Sequence, residues 1–586
     1  TTIGGIWMTG TLTPPSGTTV LITRSSSNTL TLAGNTINSI SGLGILVDNS
    51  DAIALDIRVP VAVSNTQEWR NTTENTVAVR SSPVIISGAG DLTLRSTGSS
   101  LTSAFRFDSR ANTFTGQLTI AEGNLRVTAV NNVSTNGPLG NADASKPVLL
   151  GDSGDKLGYL RLSDAAADVS TDKPFTLTTD GRGGFWVGPI AGTNLTLNGK
   201  ISGGGTLVKM GAGDGNEATA LELTNSDNEW TGGTLVTDGY ISISAANRLG
   251  DGAVTLDYDP DYVTNSGQGH SGVAGLKFTG TTAIDSASRS IVINSGVGGV
   301  GGIIDVTTTD STLVGDGALS GAGALTKAGS GSLTLTGDNS GFTGSTTVAN
   351  GTLLVNGTHT GGGQYTVESG GKLGGNGDLG SSHIIVNSGG TLAPGVSIGS
   401  FSVGSAVVDG TLSIEFGDDM IDNLLVANSL DLTNTVIDFS ALGDLSDGEY
   451  TFAEFDSVTL PGGGLATLNA NAIFPANSAL AIIQVGNELR LDGAYSTMLP
   501  GDFNEDGFVD AADYVVWRKT MPGNMMKYDE WRSNFGTGMG GGASINLGSE
   551  LVAGIPEPAS LGLLLWPALG LLLRGRRHRV GRYRQS

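Results

Sequence analysis

The chain has 586 residues, of which 92 are glycine and only 6% aromatic, and its formal charge of −24 makes nucleic acid a poor partner. It contains no cysteine, which excludes catalytic thiols, disulfides and cysteine-based zinc sites. Hydrophobic residues make up 38%, too many for a disordered chain. The Leu, Val and Ile alternate with polar residues, so many short strands joined by tight turns are predicted.

The chain opens "TTIGGIWMTG", with neither an initiator methionine nor a signal peptide, as expected of a fragment or a mature form whose targeting segment was removed. Three passages then begin alike: "ISGAGDLTL" at Ile86, "ISGGGTLVK" at Ile201 and "LSGAGALTK" at Leu319. Each is followed by a second phrase ("NTFTG" at Asn112, "NEWTG" at Asn228, "NSGFTG" at Asn339). Each closes with a third, "EGNLRV" at Glu122, "DGYISI" at Asp238 and "NGTLLV" at Asn350. Three ordered phrases occurring three times mark an internal duplication, with copies near 86–130, 201–245 and 319–357.

A finer period follows. Similar phrases start at Val348, Val367, Val386 and Val407, at spacings of 19, 19 and 21 residues. Each reads as strand, glycine turn and strand. That length is too short for a propeller blade, and it suits one rung of a β-solenoid. Each strand would pair with its counterpart one rung later, and stacking would bury a continuous aliphatic column that no rung could bury alone.

Residues 321–356, "GAGALTKAGSGSLTLTGDNSGFTGSTTVANGTLLVN", resemble the bacterial autotransporter-associated β-strand repeat, and the opening "NTLTLAGNTINSISGLGILVD" resembles the lead-in to such arrays. The resemblance covers roughly residues 1–495. It implies a mostly β fold, a long right-handed parallel β-helix, in an exported surface protein or passenger. No C-terminal membrane β-barrel pattern follows, so a self-sufficient autotransporter is not expected. The solenoid is assigned to 1–395, and 396–495 to its closing rungs and cap.

The style changes at "PGDFNEDGFVDAADYVVWRK", which starts at Pro500. Read as a twelve-residue calcium loop, Asp502, Asn504 and Asp506 take positions 1, 3 and 5, and Gly507 makes the turn at 6. Phe508 offers its carbonyl at 7, Asp510 sits at 9 and Asp513 closes at 12, with the helix "AADYVVWRKT" leaving the loop. Asp at position 12 makes the loop resemble a type I dockerin repeat. The second repeat survives only as its helix, "YDEWRSNFG" from Tyr528, because "MPGNMMK" has no acids. One Ca²⁺ is therefore expected instead of two, which argues against docking to a cohesin. This module is assigned to 496–540, with a Gly/Ser linker over 541–554.

The tail "IPEPASLGLLLWPALGLLLRGRRHR" resembles the bacterial PEP-CTERM sorting signal: Pro556, Glu557 and Pro558, an apolar run from Ala559 to Leu573, and an arginine cluster. At about 1.5 Å per residue the run reaches roughly 22 Å, short of a ~30 Å hydrocarbon core. The resemblance implies processing by an exosortase-type enzyme, transient inner-membrane anchoring through a C-terminal hydrophobic helix in 555–586, and delivery to the cell surface, outer envelope or medium. The basic end would stay cytoplasmic.

Catalytic constellations are sparse. "LDYDPDYVTN" alternates Asp257, Asp259 and Asp261 beside Tyr258 and Tyr262, but Pro260 breaks the strand, and an acidic solvated loop is the better reading. Asp418, Asp419 and Asp422 read as a polar turn. The four histidines, His270, His359, His383 and His578, are far apart and read as lone surface residues. "GVGGVG" at Gly296 reads as turn material, and "GDSGD" at Gly151 fails the nucleophile-elbow pattern.

The function expected is therefore a structural or adhesive surface protein and not an enzyme, with an extracellular polysaccharide or matrix polymer as a candidate partner. The rival is a β-helical polysaccharide lyase or glycosidase. It would need a groove with two carboxylates and a base within about 10 Å.

Overall fold

A computed structural model of the chain describes residues 2–9, 19–23, 28–48, 54–80, 84–98, 102–163, 167–188, 194–211, 219–260, 262, 272–307, 310–476, 478–495, 500–504 and 508–536. The chain forms two compact units, Thr1–Thr497 and Met498–Ser586.

The first unit is a parallel β-solenoid. Its strands are mostly three to six residues long, and nearly every pairing is parallel, between one strand and its counterpart a rung away. Thr346 pairs with Tyr365 and Tyr365 with Ile384, nineteen residues on at each step. Inward positions alternate with outward ones, as in Ser332–Leu335, where Leu333 and Leu335 are buried and Ser332 and Thr334 half-buried. The inward residues merge into one hydrophobic column that runs from Met8 to Leu491.

The three-phrase repeat has a physical reason. The asparagine that opens each second phrase lies one rung beyond the start of the first phrase. Its Oδ1 accepts that residue's backbone N–H: Ile86 to Asn112, Ile201 to Asn228 and Leu319 to Asn339, each at 2.8 Å. The aromatic two or three residues later, Phe114, Trp230 or Phe342, fills the core. The glycine two residues into the first phrase has φ of +104° at Gly88, +109° at Gly203 and +107° at Gly321. A Cβ there would lie 2.1 Å from a carbonyl oxygen of the preceding rung, so only glycine fits.

Two copies add a lysine. Lys209 is fully buried and donates to the carbonyls of Met210 (3.2 Å), Gly211 (2.6 Å) and Asp238 (2.8 Å). Lys327 does the same with Ala328 (2.8 Å), Gly329 (2.9 Å) and Asn350 (3.1 Å). Each ammonium thus ties the first phrase to the first residue of the third. Burial pushes Lys209 down to about 7 and Lys327 to about 8. The first copy has Leu94 at this place and lacks the tether.

The far end changes character. Leu445–Thr459, Glu488–Tyr495 and Ala481–Val485 pair antiparallel and end the largest C-terminal sheet. The outer side of Ala481–Val485 is satisfied by a side chain: Asn469, on helix α1 (Leu465–Asn471), donates to the Ile482 carbonyl (2.8 Å) and accepts its N–H (2.7 Å). Ile473 does the same with its backbone for Val436–Ala441, accepting from Phe439 N–H and donating to Ile437. Both edges are thereby blocked against further pairing.

The second unit contains α2 (Ala511–Thr520) and α3 (Met525–Asn534). Asp510 caps α2 by accepting from Ala512 N–H at 2.6 Å. In the segment where a second loop would sit there is a tight turn, and Asn524 caps α3 from Lys527 N–H. Tyr514, Trp517, Tyr528 and Trp531 pack between the helices, with ring centroids 5.0 Å apart for Tyr514–Trp531 and for Trp517–Tyr528. The apolar run Ala559–Leu573 and the whole segment 537–586 lie outside the described residues, as does the expected C-terminal helix. Among the described residues no helix is long and apolar enough to cross a membrane.

Candidate functional site

Two places carry chemistry: the acidic loop of the second unit and a cleft on the solenoid.

In the loop, Asp513 is fully buried and gathers backbone from both ends. Its Oδ1 accepts from Phe503 (2.7 Å) and Asn504 (3.1 Å), and its Oδ2 from Asp510 (2.7 Å). Position 12 of the predicted loop is thus joined to positions 2, 3 and 9. Asp502 is also buried, whereas Asn504, the Phe508 side chain and Asp510 are exposed. Asp506 and Gly507 lie outside the described residues. Val509 is fully buried and its carbonyl accepts from Gly536. The Asp510 carbonyl accepts from Trp531 Nε1 at 2.6 Å, which pins the loop to α3.

Among the described residues no three His, Asp or Glu side chains are grouped to hold a metal. Asp502, Asp510 and Asp513 are carboxylates, and oxygen donors of this kind are what Ca²⁺ selects. Pro556, Glu557 and Pro558 lie outside the described residues.

The solenoid cleft, about 320 Å³, is lined by Glu122, Asn124, Asp155, Lys156, Arg182 and Tyr262, among others. Glu122 pairs with Arg95 (3.1 Å) and Lys156 (2.9 Å), and Arg95 also with Asp152 (2.5 Å). Asp155 pairs with Arg182 at 2.8 Å. Arg182 also donates to the Tyr262 hydroxyl, its guanidinium carbon 5.7 Å from the ring centroid. The Arg95 guanidinium holds the Asp152 carboxyl below the usual carboxylate range. Asp152, Asp155 and Lys156 come from the "GDSGDK" turn, so the failed nucleophile-elbow text is a charge-bearing corner of the solenoid. These residues are up to 167 positions apart in sequence, from Arg95 to Tyr262, and the rung register brings them together.

A larger cleft, about 780 Å³, has Asp378, Glu454, Asp456 and Glu488 around Val403 and Phe455. Glu454 accepts from Asn423 (2.7 Å), and Glu488 from Arg490 and Thr451 (both 2.8 Å).

The other sequence candidates resolve into structure. Asp257 accepts from Asn294 at 2.9 Å and Tyr258 is buried in the column; Asp261 lies outside the described residues. Asp418 and Asp419 form a tight turn with φ of +52° and +60°. Asp422 departs from the polar-turn reading. It is buried, accepts from Gly399 (2.8 Å) and Glu415 (2.7 Å), and is pushed up to about 7 by burial. His359 is likewise not a surface residue: it is 3% exposed and bonded to the Tyr365 hydroxyl at 2.9 Å. His383 is half-buried against Ser405; His270 and His578 lie outside the described residues.

The first unit is thus a parallel solenoid whose three-phrase repeat runs over successive rungs. Comparison with known families agrees with that class: the passenger-associated-transport-repeat profile matches residues 218–243 and 325–355, within the second and third copies. The chain is also 28% identical over 269 residues to the adhesin BmaC autotransporter of Brucella suis biovar 1 (strain 1330). That alignment covers 44% of this chain and 7% of the relative's length.

Proposed function

We propose that the protein is an exported structural or adhesive rod displayed at the cell surface or outer envelope, and not a catalyst. The observation that carries this reading is the unbroken column from Met8 to Leu491 built on passenger-type repeats, and the likeness to an adhesin supports it. Such a rod offers long outward faces for contact with an extracellular polysaccharide or matrix polymer. Beads coated with the full chain should adhere to polysaccharide or matrix films, and no film polymer should be shortened. Failure to adhere to any film, or cleavage of one, would overturn the proposal.

One observation favours the enzymatic rival, namely that the 320 Å³ cleft holds carboxylates and a lysine together. Glu122 and Asp155, however, are each committed to a cation, which suits binding better than proton transfer.

The second unit completes the proposal. Asp502, Asn504, Asp506, the Phe508 carbonyl, Asp510 and Asp513 would hold one Ca²⁺, whose charge would draw these donors together and order the loop. Calorimetry on the full chain should find one calcium site that disappears in the Asp502→Ala, Asp506→Ala double variant; no heat in the parent chain would refute it. The module acts as a metal-ordered knob and does not dock to a cohesin. Pro556-Glu557-Pro558 is the address read by an exosortase-type enzyme, and the chain touches the membrane only through the tail that follows. In a host with that enzyme, the parent chain should lose mass and Glu557→Ala should not. Equal masses would remove the sorting role.

A further inference from the structure

A stripe on the outer face of the solenoid is charge-balanced although the chain as a whole carries −24. Arg70 pairs with Glu68 (2.6 Å), and Arg95 reaches Glu68 (3.6 Å), Glu122 (3.1 Å) and Asp152 (2.5 Å). Lys156 pairs with Glu122 (2.9 Å) and Arg182 with Asp155 (2.8 Å). Four cations thus meet four carboxylates, with Arg70, Glu68, Arg95, Glu122, Asp152 and Lys156 in one linked network and Arg182 with Asp155 as a separate pair.

The strands beneath are Gln67–Asn71, Leu92–Ser96, Leu118–Val127, Leu157–Leu162 and Arg182–Val187, each parallel to the next. Four steps of about 4.8 Å carry the stripe roughly 19 Å along the stacking direction. At its far end it opens into the 320 Å³ cleft, where Tyr262 forms a wall held by Arg182.

We propose that this stripe is the docking groove for an uncharged, extended polysaccharide lying across successive rungs. The inference rests on the adhesive reading above and names its ligand class. Every cation in the stripe already has a carboxylate, so a polyanion would have to break pairs and face the acids it released. A polyol breaks none. Its hydroxyls donate to free carboxylate lone pairs and accept from guanidinium and ammonium N–H groups still unused. Tyr262, half-buried with Arg182 over its ring, adds an aromatic edge for the apolar side of a sugar ring. The pairs also hold the side chains in place before binding, which lowers the entropy lost on docking. A periodic rung meets a periodic polymer.

The test uses the full chain with three probes: a linear neutral β-glucan, a neutral mannan and the polyuronate alginate. At least one neutral probe should bind, with an affinity nearly unchanged between 50 and 500 mM NaCl. Arg182→Ala and Tyr262→Ala should each weaken it about tenfold. Far-UV circular dichroism checks the fold, and if Arg182→Ala does not fold, Asp155→Asn at the exposed end of that pair replaces it. Three results would each overturn the proposal: no neutral probe bound, binding undiminished in folded variants, or tighter binding of alginate that collapses with salt. Bead adhesion separates the two readings. If folded Arg182→Ala and Tyr262→Ala beads adhere as well as the parent, the groove is wrong and the adhesive rod survives. If parent beads adhere to nothing, the rod itself fails.

Discussion

Between Thr1 and Thr497 a hydrophobic column from Met8 to Leu491 holds the chain together. In the unit that starts at Met498, the described side chains buried below one-tenth exposure are Val509, Trp531, Asp502 and Asp513. The column is redundant: each rung touches its neighbours, and each buried side chain is one of many doing the same task. Among the described residues of the second unit, the loop rests on single contacts. One carboxylate joins both ends of a loop, and one indole both fills the interior and bonds the loop carbonyl. Damage should therefore stay local in the solenoid and be total in the small unit.

Trp230→Ala tests the solenoid side with the largest expected effect. Trp230 is fully buried, and its Nε1 donates to Gly233 at 3.0 Å. Losing it should cost about 3–5 kcal/mol, as for other buried aromatics. Hydrogen exchange should localise the loss to neighbouring rungs while strands near Leu392 stay protected. Uniform loss of protection from end to end would show that the column unfolds as one unit.

Asp513→Ala tests the other side. It strands three N–H donors around a buried site, and a cost of about 3 kcal/mol is expected. That is enough to unfold a unit with so small an interior. Near-ultraviolet dichroism of the Tyr514–Trp531 cluster should vanish while the solenoid's far-ultraviolet β signal stays intact. A retained aromatic signal would mean that the helices, not the loop, hold this unit together.

How far the two regions could be read from sequence differs for the same reason. Rung length was legible because Val348, Val367 and Val386 repeat at the spacing that the parallel register imposes. The three phrases were legible because Asn112, Asn228 and Asn339 each do the same backbone job, accepting the N–H that opens the first phrase. Repetition averages out noise. The solenoid's end was less legible: Asn469 and Ile473 block two edges once only, and nothing in the local text marks an asparagine as a strand mimic. His359 and Asp422 were misread because burial on a rung depends on register, not on residue type. The charged cleft was invisible, since Arg95, Glu122, Asp152 and Arg182 become neighbours only through stacking. The acidic loop carries its pattern in twelve consecutive residues, but nothing in that pattern marks its hydrogen-bond closure through Asp513.

A smaller effect separates repeat copies within the solenoid. Burial brings Lys209 from an ordinary 10.5 to about 7, with Asp238 opposing the shift only in part. Between those values the unfolded chain binds the proton that the folded chain has released. Stability relative to a Lys209→Met variant should therefore rise as pH increases from 7 towards 9, by at most about 1.4 kcal/mol per pH unit. Denaturant melts at pH 7, 8 and 9 check this. A flat difference would mean that the three carbonyl acceptors keep the ammonium charged.

The smallest expected effect has the same pH direction but an acidic window, and lies in the finer 19-residue rungs. His359 is buried against Phe342, ring centroids 6.2 Å apart, and burial takes it from an ordinary 6.5 down to about 4. Here too the folded chain binds the proton less readily than the unfolded one. The window is acidic, however, so the full contribution is present above pH 6.5 and is lost as pH falls towards 4. Carboxylates titrate in the same range, and the informative quantity is the parent-minus-His359→Gln difference in melting. It should shrink steadily from pH 6.5 to 4.5. Were it constant, the ring would take up its proton as readily in the folded rung as in the unfolded chain, with the Tyr365 hydroxyl accepting from Nδ1. The rung interior would then be more polar around His359 than its burial implies.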